Sequence, residues 1–194
     1  MNNLKTLIAG AGFALLANAG LAQTWVVDPS ASAVSFGSVK KGSIGEAHSF
    51  TAVSGQVGQD GRATITVSLG SVETNIDIRN ERMIEHVFNN MEIASVTGEV
   101  DMDAVQALAI GEMAPVYVDA TLHMMGESVG FDAPMIAVRL GENRAMIVSD
   151  GIAYLSTTDL GIDGGIDKLM ELASLPSIAR SFPLTVRLVF DLQE

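Results

Sequence analysis

Gly126-Glu127-Ser128-Val129-Gly130 fits the G-x-S-x-G pattern that lifts a nucleophilic serine onto a strand-to-helix turn, with an acid and then a histidine later in the chain. Here alternating residues flank it on both sides, which predicts a strand-to-strand turn, and no histidine follows His123. Ser128 is therefore expected in a hairpin and not in an esterase elbow. Residues 37–43 have the glycine spacing of a phosphate loop but lack the lysine that reaches the terminal phosphates, so they too read as a hairpin turn. Within them Lys40-Lys41, the only adjacent basic pair in the chain, could meet an anionic head group. His48, His86 and His123 are far apart, and no two have the i, i+4 spacing of a helical metal pair. Asp159, Asp163 and Asp167 recur every four residues, not at the alternate positions of a calcium loop, which leaves a helix cap at Asp167 and turn roles for the other two. With no cysteine, thiolate chemistry, cysteine-based zinc sites and disulfides are excluded. No catalytic residue, metal site or cofactor is expected.

The charge balance is 11 − 23 = −12 over 194 residues. An acidic chain lacks the basic footprint that nucleic acid or an anionic membrane surface requires. Residues 1–22 read as a cleaved secretory signal: Lys5 supplies a basic start, residues 7–17 an apolar run, and Ala17-Asn18-Ala19 or Gly20-Leu21-Ala22 a small-residue cleavage site. The run is shorter than the roughly 20 residues of a spanning helix. The expectation is an exported, periplasmic domain over 23–194 that spans no membrane and is held together by burial and backbone pairing alone.

The elements of that domain follow from hydrophobic spacing. Residues 63–69 alternate cleanly, with Ala63, Ile65, Val67 and Leu69 on one face. Residues 116–124 and 184–192 do the same, and further strands are expected at 25–28, 32–39, 49–57, 92–102, 127–140 and 145–155. Helical spacing appears at 76–87, where Ile76, Asn80, Met83, Ile84 and Val87 are interleaved with charges, and more briefly at 101–109 and 166–173. The fold class is all-β, with about eight antiparallel strands and two or three short helices. Spacing alone leaves sandwich and barrel both open.

The run Ser71-Val72-Glu73-Thr74, then Arg79-Asn80-Glu81-Arg82-Met83, then Phe88-Asn89 opening a strand through Val96-Thr97, resembles the signature of the YceI-like family. Asp159-Leu160-Gly161 matches a later position, whereas Ala31 and Ile93-Ala94 stand where the family usually has a histidine and an aromatic-proline pair. The resemblance implies an eight-stranded lipocalin-like barrel that binds polyisoprenoid lipids without turnover. It also implies a cavity wall drawn from Phe36, Phe50, Met83, Phe88, Met124 and Phe131, with Arg79 ordering the loop over the mouth or meeting a lipid head. For Arg79 the plainer expectation is a solvated, salt-bridged helix face shared with Arg82, Glu81 and Glu85. The implied partner is an isoprenoid lipid, either a polyprenyl phosphate or a quinone. The alternative is a filled barrel without a stably bound lipid, a stress-response or interaction module serving a membrane electron-transfer protein, and a third reading is a hydrolase using Ser128 or a carboxylate pair.

Overall fold

The computed structural model describes residues 23–193, so the expected export signal at 1–22 lies outside the described residues. Four of the barrel's eight positions are bent strands made of two segments. β1 (Thr24–Val27) and β2 (Ala33–Lys40) form the first, β3 (Ile44–Phe50) and β4 (Val53–Val57) the second, β5 (Arg62–Ser68) and β6 (Val72–Glu73) the third. β7 (Ile93–Glu99), β8 (Met113–Met124) and β9 (Glu127–Gly141) follow unbroken. β10 (Arg144–Ser149) with β11 (Ala153–Ser156), and then β12 (Ser181–Gln193), complete the set. Each position pairs antiparallel with the next, and β12 closes the ring by pairing with β1 through 190–193 and with β2 through 184–187. Closure leaves no long edge open to another chain.

The alternating faces expected on β5, β8 and β12 are the inward ones: Ile65, Val67, Ala120, Leu122, Leu188 and Phe190 all look into the barrel. The bends differ from the sequence expectation. Residues 49–57 are not one strand, because the chain turns at Thr51-Ala52 where Ala52 N–H bonds to the Ser71 hydroxyl, and β3 reaches back to Ile44. Residues 145–155 break at Gly151, whose φ of 122° suits glycine alone. The strand expected over 92–102 ends at Glu99.

Three short helices close the ends. α1 (Asp77–Arg82) runs into a π-helical turn at Met83–Val87, and α3 (Asp163–Ala173) packs against that turn. α2 (Met102–Gln106) covers the opposite end with Met102 and Val105 buried. Asp167 is not a helix cap. The helix begins at Asp163, whose carboxylate accepts the Thr157 and Thr158 hydroxyls at 2.5 and 2.8 Å, and Asp167 instead pairs with Arg180. The Met125-Gly126 turn of the β8–β9 hairpin has both residues at positive φ, 57° and 88°, as a two-residue primed turn requires.

A charged clasp holds the α2 end. Arg144 bonds Asp191 at 2.7 and 2.9 Å and Asp28 at 2.5 Å, tying β10 and β12 to the bend between β1 and β2. Hydrogen bonds from Ser30 and then Arg144 hold the Asp28 carboxyl down at about 2. A depressed carboxylate contributes stability above its unfolded value, and that contribution disappears as pH falls through the folded one. Wild type should therefore lose stability between the ordinary 3.8 and about 2 more steeply than Asp28→Asn, read as urea midpoints across that window. Parallel curves would remove Asp28 from the acid response.

Candidate functional site

The barrel encloses a cavity of about 520 Å³ that runs from Trp25 and Met102 at the α2 end to α1 and α3 at the other. The seven residues expected at a site, Phe36, Phe50, Arg79, Met83, Phe88, Met124 and Phe131, all line it. Four rings stand together on one wall. Phe36 stacks on Phe50 at 5.2 Å between centroids, Phe50 meets Phe88 at 6.0 Å, and Phe182 sets its edge to Phe36 at 6.3 Å. Met83 and Phe88 reach this wall because the π turn, closed by Phe88 N–H to the Met83 carbonyl at 2.9 Å, places Met83, Val87 and Phe88 on the cavity side together. Consecutive left-handed asparagines, Asn89 and Asn90, then end the helical segment.

The charged residues that line the cavity, Lys40, Glu46, Arg79 and Arg82, all lie at the end framed by the β2–β3 hairpin and α1. Ile76 and Ile78 on this rim line the cavity and are also exposed, by 44% and 51%, which places the mouth there. Arg79 is not part of a solvated helix face. Its guanidinium donates to Glu46 at 2.9 Å and to the Thr74 carbonyl at 2.6 Å, while Asn80 accepts from the Thr74 backbone N–H and hydroxyl at 2.9 and 2.5 Å. The motif Glu73-Thr74 followed by Arg79-Asn80 is thus a knot that fixes α1 across the mouth. Arg82 reaches over to the Leu172 carbonyl of α3 at 3.4 Å. Burial pushes the Glu46 carboxyl up, but hydrogen bonds from Lys40 and Arg79 outweigh it and hold it below the usual range.

Removing the Arg79 side chain leaves the Thr74 carbonyl without its donor and Glu46 with Lys40 alone. Arg79→Ala should speed amide exchange across residues 74–82 by about tenfold or more, since two charge-assisted bonds are lost and one alone is worth roughly 1.5 kcal/mol. Unchanged exchange there would mean that packing alone holds α1.

Sequence reasoning missed the inward polar residues of β2 and β3. Ser38, Glu46 and His48 share the inner face with Phe36 and Phe50, a pattern that becomes visible only once β3 starts at Ile44. His48 is buried, its ring lies 5.1 Å from Phe36, and its Nε2 is 2.9 Å from the Ser38 hydroxyl. Burial, then the Arg79 charge, lowers its pKa. Its Nδ1 and the Arg79 Nε are buried and have no hydrogen-bond partner among the described residues.

Across the β8–β9 hairpin, on the outward face, His123 Nδ1 lies 2.9 Å from the Ser128 hydroxyl and its Nε2 lies 3.1 Å from Thr97 Oγ1. A serine does meet a histidine, although the histidine precedes it in the chain. The third group is a neutral hydroxyl that cannot stabilise an imidazolium as a carboxylate does. Among the described residues no three metal-ligating side chains converge, and no helix is long and apolar enough to cross a membrane.

The model of the YceI-like domain matches residues 25–190. The chain belongs to the YceI-like family. A solved polyisoprenoid-binding domain from Saccharophagus degradans, implicated in plant cell wall breakdown, is 34% identical, with a TM-score of 0.84 over 87% of this chain and 98% of that one. BcnA of Burkholderia cenocepacia shares the YceI-like fold at 17% identity and a TM-score of 0.63, over 84% of this chain and 98% of its own. None of the curated proteins matches the sequence.

Proposed function

We propose that this YceI-like protein is an exported carrier, working in the periplasm, that holds the tail of a long isoprenoid lipid inside the barrel and does not transform it. The observation that carries this reading is one continuous cavity of about 520 Å³ whose charged lining is confined to the mouth. That volume falls in the range of ligand pockets, about 300–1,000 Å³, and an apolar interior gains roughly 0.8 kcal/mol for each CH₂ it takes from water. A polyprenyl phosphate or a prenylated quinone both present such a tail. The polyisoprenoid-binding domain from Saccharophagus degradans supports the ligand class, and the apolar run with small-residue cleavage sites in residues 1–22 supports export. A filled barrel serving a membrane electron-transfer partner would need an interior packed shut, which a cavity of this size does not provide.

Native mass spectrometry of the mature chain purified from its own host, followed by organic extraction, tests the carrier reading. The expected result is one adduct per chain that extracts as an isoprenoid. A bare polypeptide mass that stays bare after incubation with a prenylated quinone and with a polyprenyl phosphate would overturn it.

A further inference from the structure

The inner wall of the β2–β3 hairpin changes character along its length. Val34 and Phe50 face each other deep in the barrel, Phe36 and His48 come next, then Ser38 and Glu46, and then Lys40 near the hairpin turn. An isoprenoid with its tail among the phenylalanines therefore has its head among Ser38, Glu46, His48 and Arg79. This corner holds two buried nitrogens without partners, Nδ1 of His48, a residue only 7% exposed, and Nε of Arg79. Buried polar atoms are nearly always bonded, so two orphans in one corner of a ligand cavity call for a partner from the ligand.

What that partner can be follows from what is already spent. Phosphate recognition by arginine relies on a free two-pronged guanidinium, and by lysine on an unpaired ammonium. In this corner both terminal nitrogens of Arg79 are engaged, one with Glu46 and one with the Thr74 carbonyl, and Lys40 is held by Glu46 at 2.9 Å. Glu46 uses one oxygen for each cation and is kept ionised by them. A phosphate placed beside His48 would face that carboxylate, with Lys40 and Arg79 already paired to it; the remaining cation of the lining, Arg82, is directed to the Leu172 carbonyl of α3. Neutral imidazole bonds Ser38 through Nε2 as donor or acceptor, so Nδ1 can offer the complementary role, and Arg79 Nε–H is a donor. Such single bonds suit a carbonyl or hydroxyl oxygen.

We propose that His48 and Arg79 form a head-group site for an uncharged oxygen, a quinone carbonyl or a prenyl alcohol, and that Glu46 makes the same corner reject phosphate. This rests on the carrier reading of the cavity and adds its head-group specificity. Lys41 stands on the hairpin turn, and Arg82 lines the same end of the cavity beside α3, so the phosphate measurement below includes whatever they contribute.

The test is binding of four probes to the full mature chain: geranylgeraniol, a geranylgeranyl naphthoquinone, geranylgeranyl monophosphate and squalene, which has no head. Wild type should bind the alcohol and the quinone about tenfold or more tighter than the monophosphate, the scale of one hydrogen bond gained and one repulsion avoided. His48→Phe should weaken the alcohol and the quinone by about tenfold and leave squalene unchanged, while His48→Gln, which keeps a donor and an acceptor, retains most of the affinity. Glu46→Gln should raise monophosphate affinity by about tenfold, a gain that a misfolded variant cannot produce. Monophosphate binding as tight as the alcohol in wild type, or alcohol binding unmoved in His48→Phe, would overturn the head-group site and leave the carrier standing. Failure of all four probes, squalene included, to bind wild type would overturn the carrier and this site with it.

Discussion

Val96→Phe should bind isoprenoid on the order of 100-fold more weakly than wild type while melting at the same temperature or slightly higher. Val96 stands in mid-strand on β7, paired with Ile65 on one side and Leu122 on the other, all three facing the cavity. It is only partly buried, so the room beside its side chain is cavity and not packed core. Phenylalanine adds a ring's worth of carbon to that space, suits a strand as well as valine, and covers apolar surface already present. The ring occupies the volume of about four ligand carbons. At roughly 0.8 kcal/mol for each carbon denied burial, the loss is about 3 kcal/mol in binding and none in folding. The check is a titration with a prenylated quinone beside a thermal melt. Weaker binding with a melting temperature well below wild type would mean that the position is packed core.

The largest folding effect is expected at Gly165, in the first turn of α3. A Cβ there would lie 2.6 Å from Val87 Cα and against the His86 carbonyl oxygen, both backbone, so no side chain can swing aside. Because the clashing atoms are all backbone, overpacking here falls at the top of its usual range, about 3 kcal/mol, against a gain of about 1 kcal/mol from replacing a helical glycine. Gly165→Ala should therefore destabilise by about 2 kcal/mol and lower the melting temperature by roughly 4–8 °C for a domain of this length. Gly164→Ala meets nothing within 4 Å and should be neutral or stabilising. Equal melting temperatures for the two variants would show that α3 does not rest on the π turn through this contact. Because α3 backs the segment carrying Met83, Val87 and Phe88, Gly165→Ala should also weaken lipid binding.

The strands that were legible from sequence are those with one clean apolar face. On β5, β8 and β12 the period of two marks inside and outside, and the marked faces are the ones that line the cavity. β3 was not legible because its inner face carries Glu46 and His48, so the alternation expected of a buried strand is inverted where the site is. Closure was not legible either. It depends on β12 being long enough to pair with both β1 and β2, a relation between the two ends of the chain that no local window contains. The helical spacing begins three residues after α3 does because Gly164-Gly165 gives a weak helical signal, and close packing on the π turn is what requires glycine at 165. Hydrophobic pattern marks Phe36, Phe50, Met83, Phe88, Met124 and Phe131 only as core, and it is the family resemblance that implies a cavity wall. The corner of Ser38, Glu46 and His48 carried no such mark, since Arg79 meets Glu46 across 33 positions of sequence.

Trp25 is the chain's single tryptophan, and it lies in the cavity wall at the end away from the mouth, with the Arg139 guanidinium 5.2 Å over its ring. Its fluorescence therefore reports how deeply a tail enters. A prenyl alcohol brominated at the far end of its tail should quench Trp25 in a saturable way at one ligand per chain, and the same lipid brominated beside its hydroxyl should quench it far less. Equal quenching by the two lipids, or quenching that rises without saturation, would contradict a tail held along the barrel with its head at the mouth.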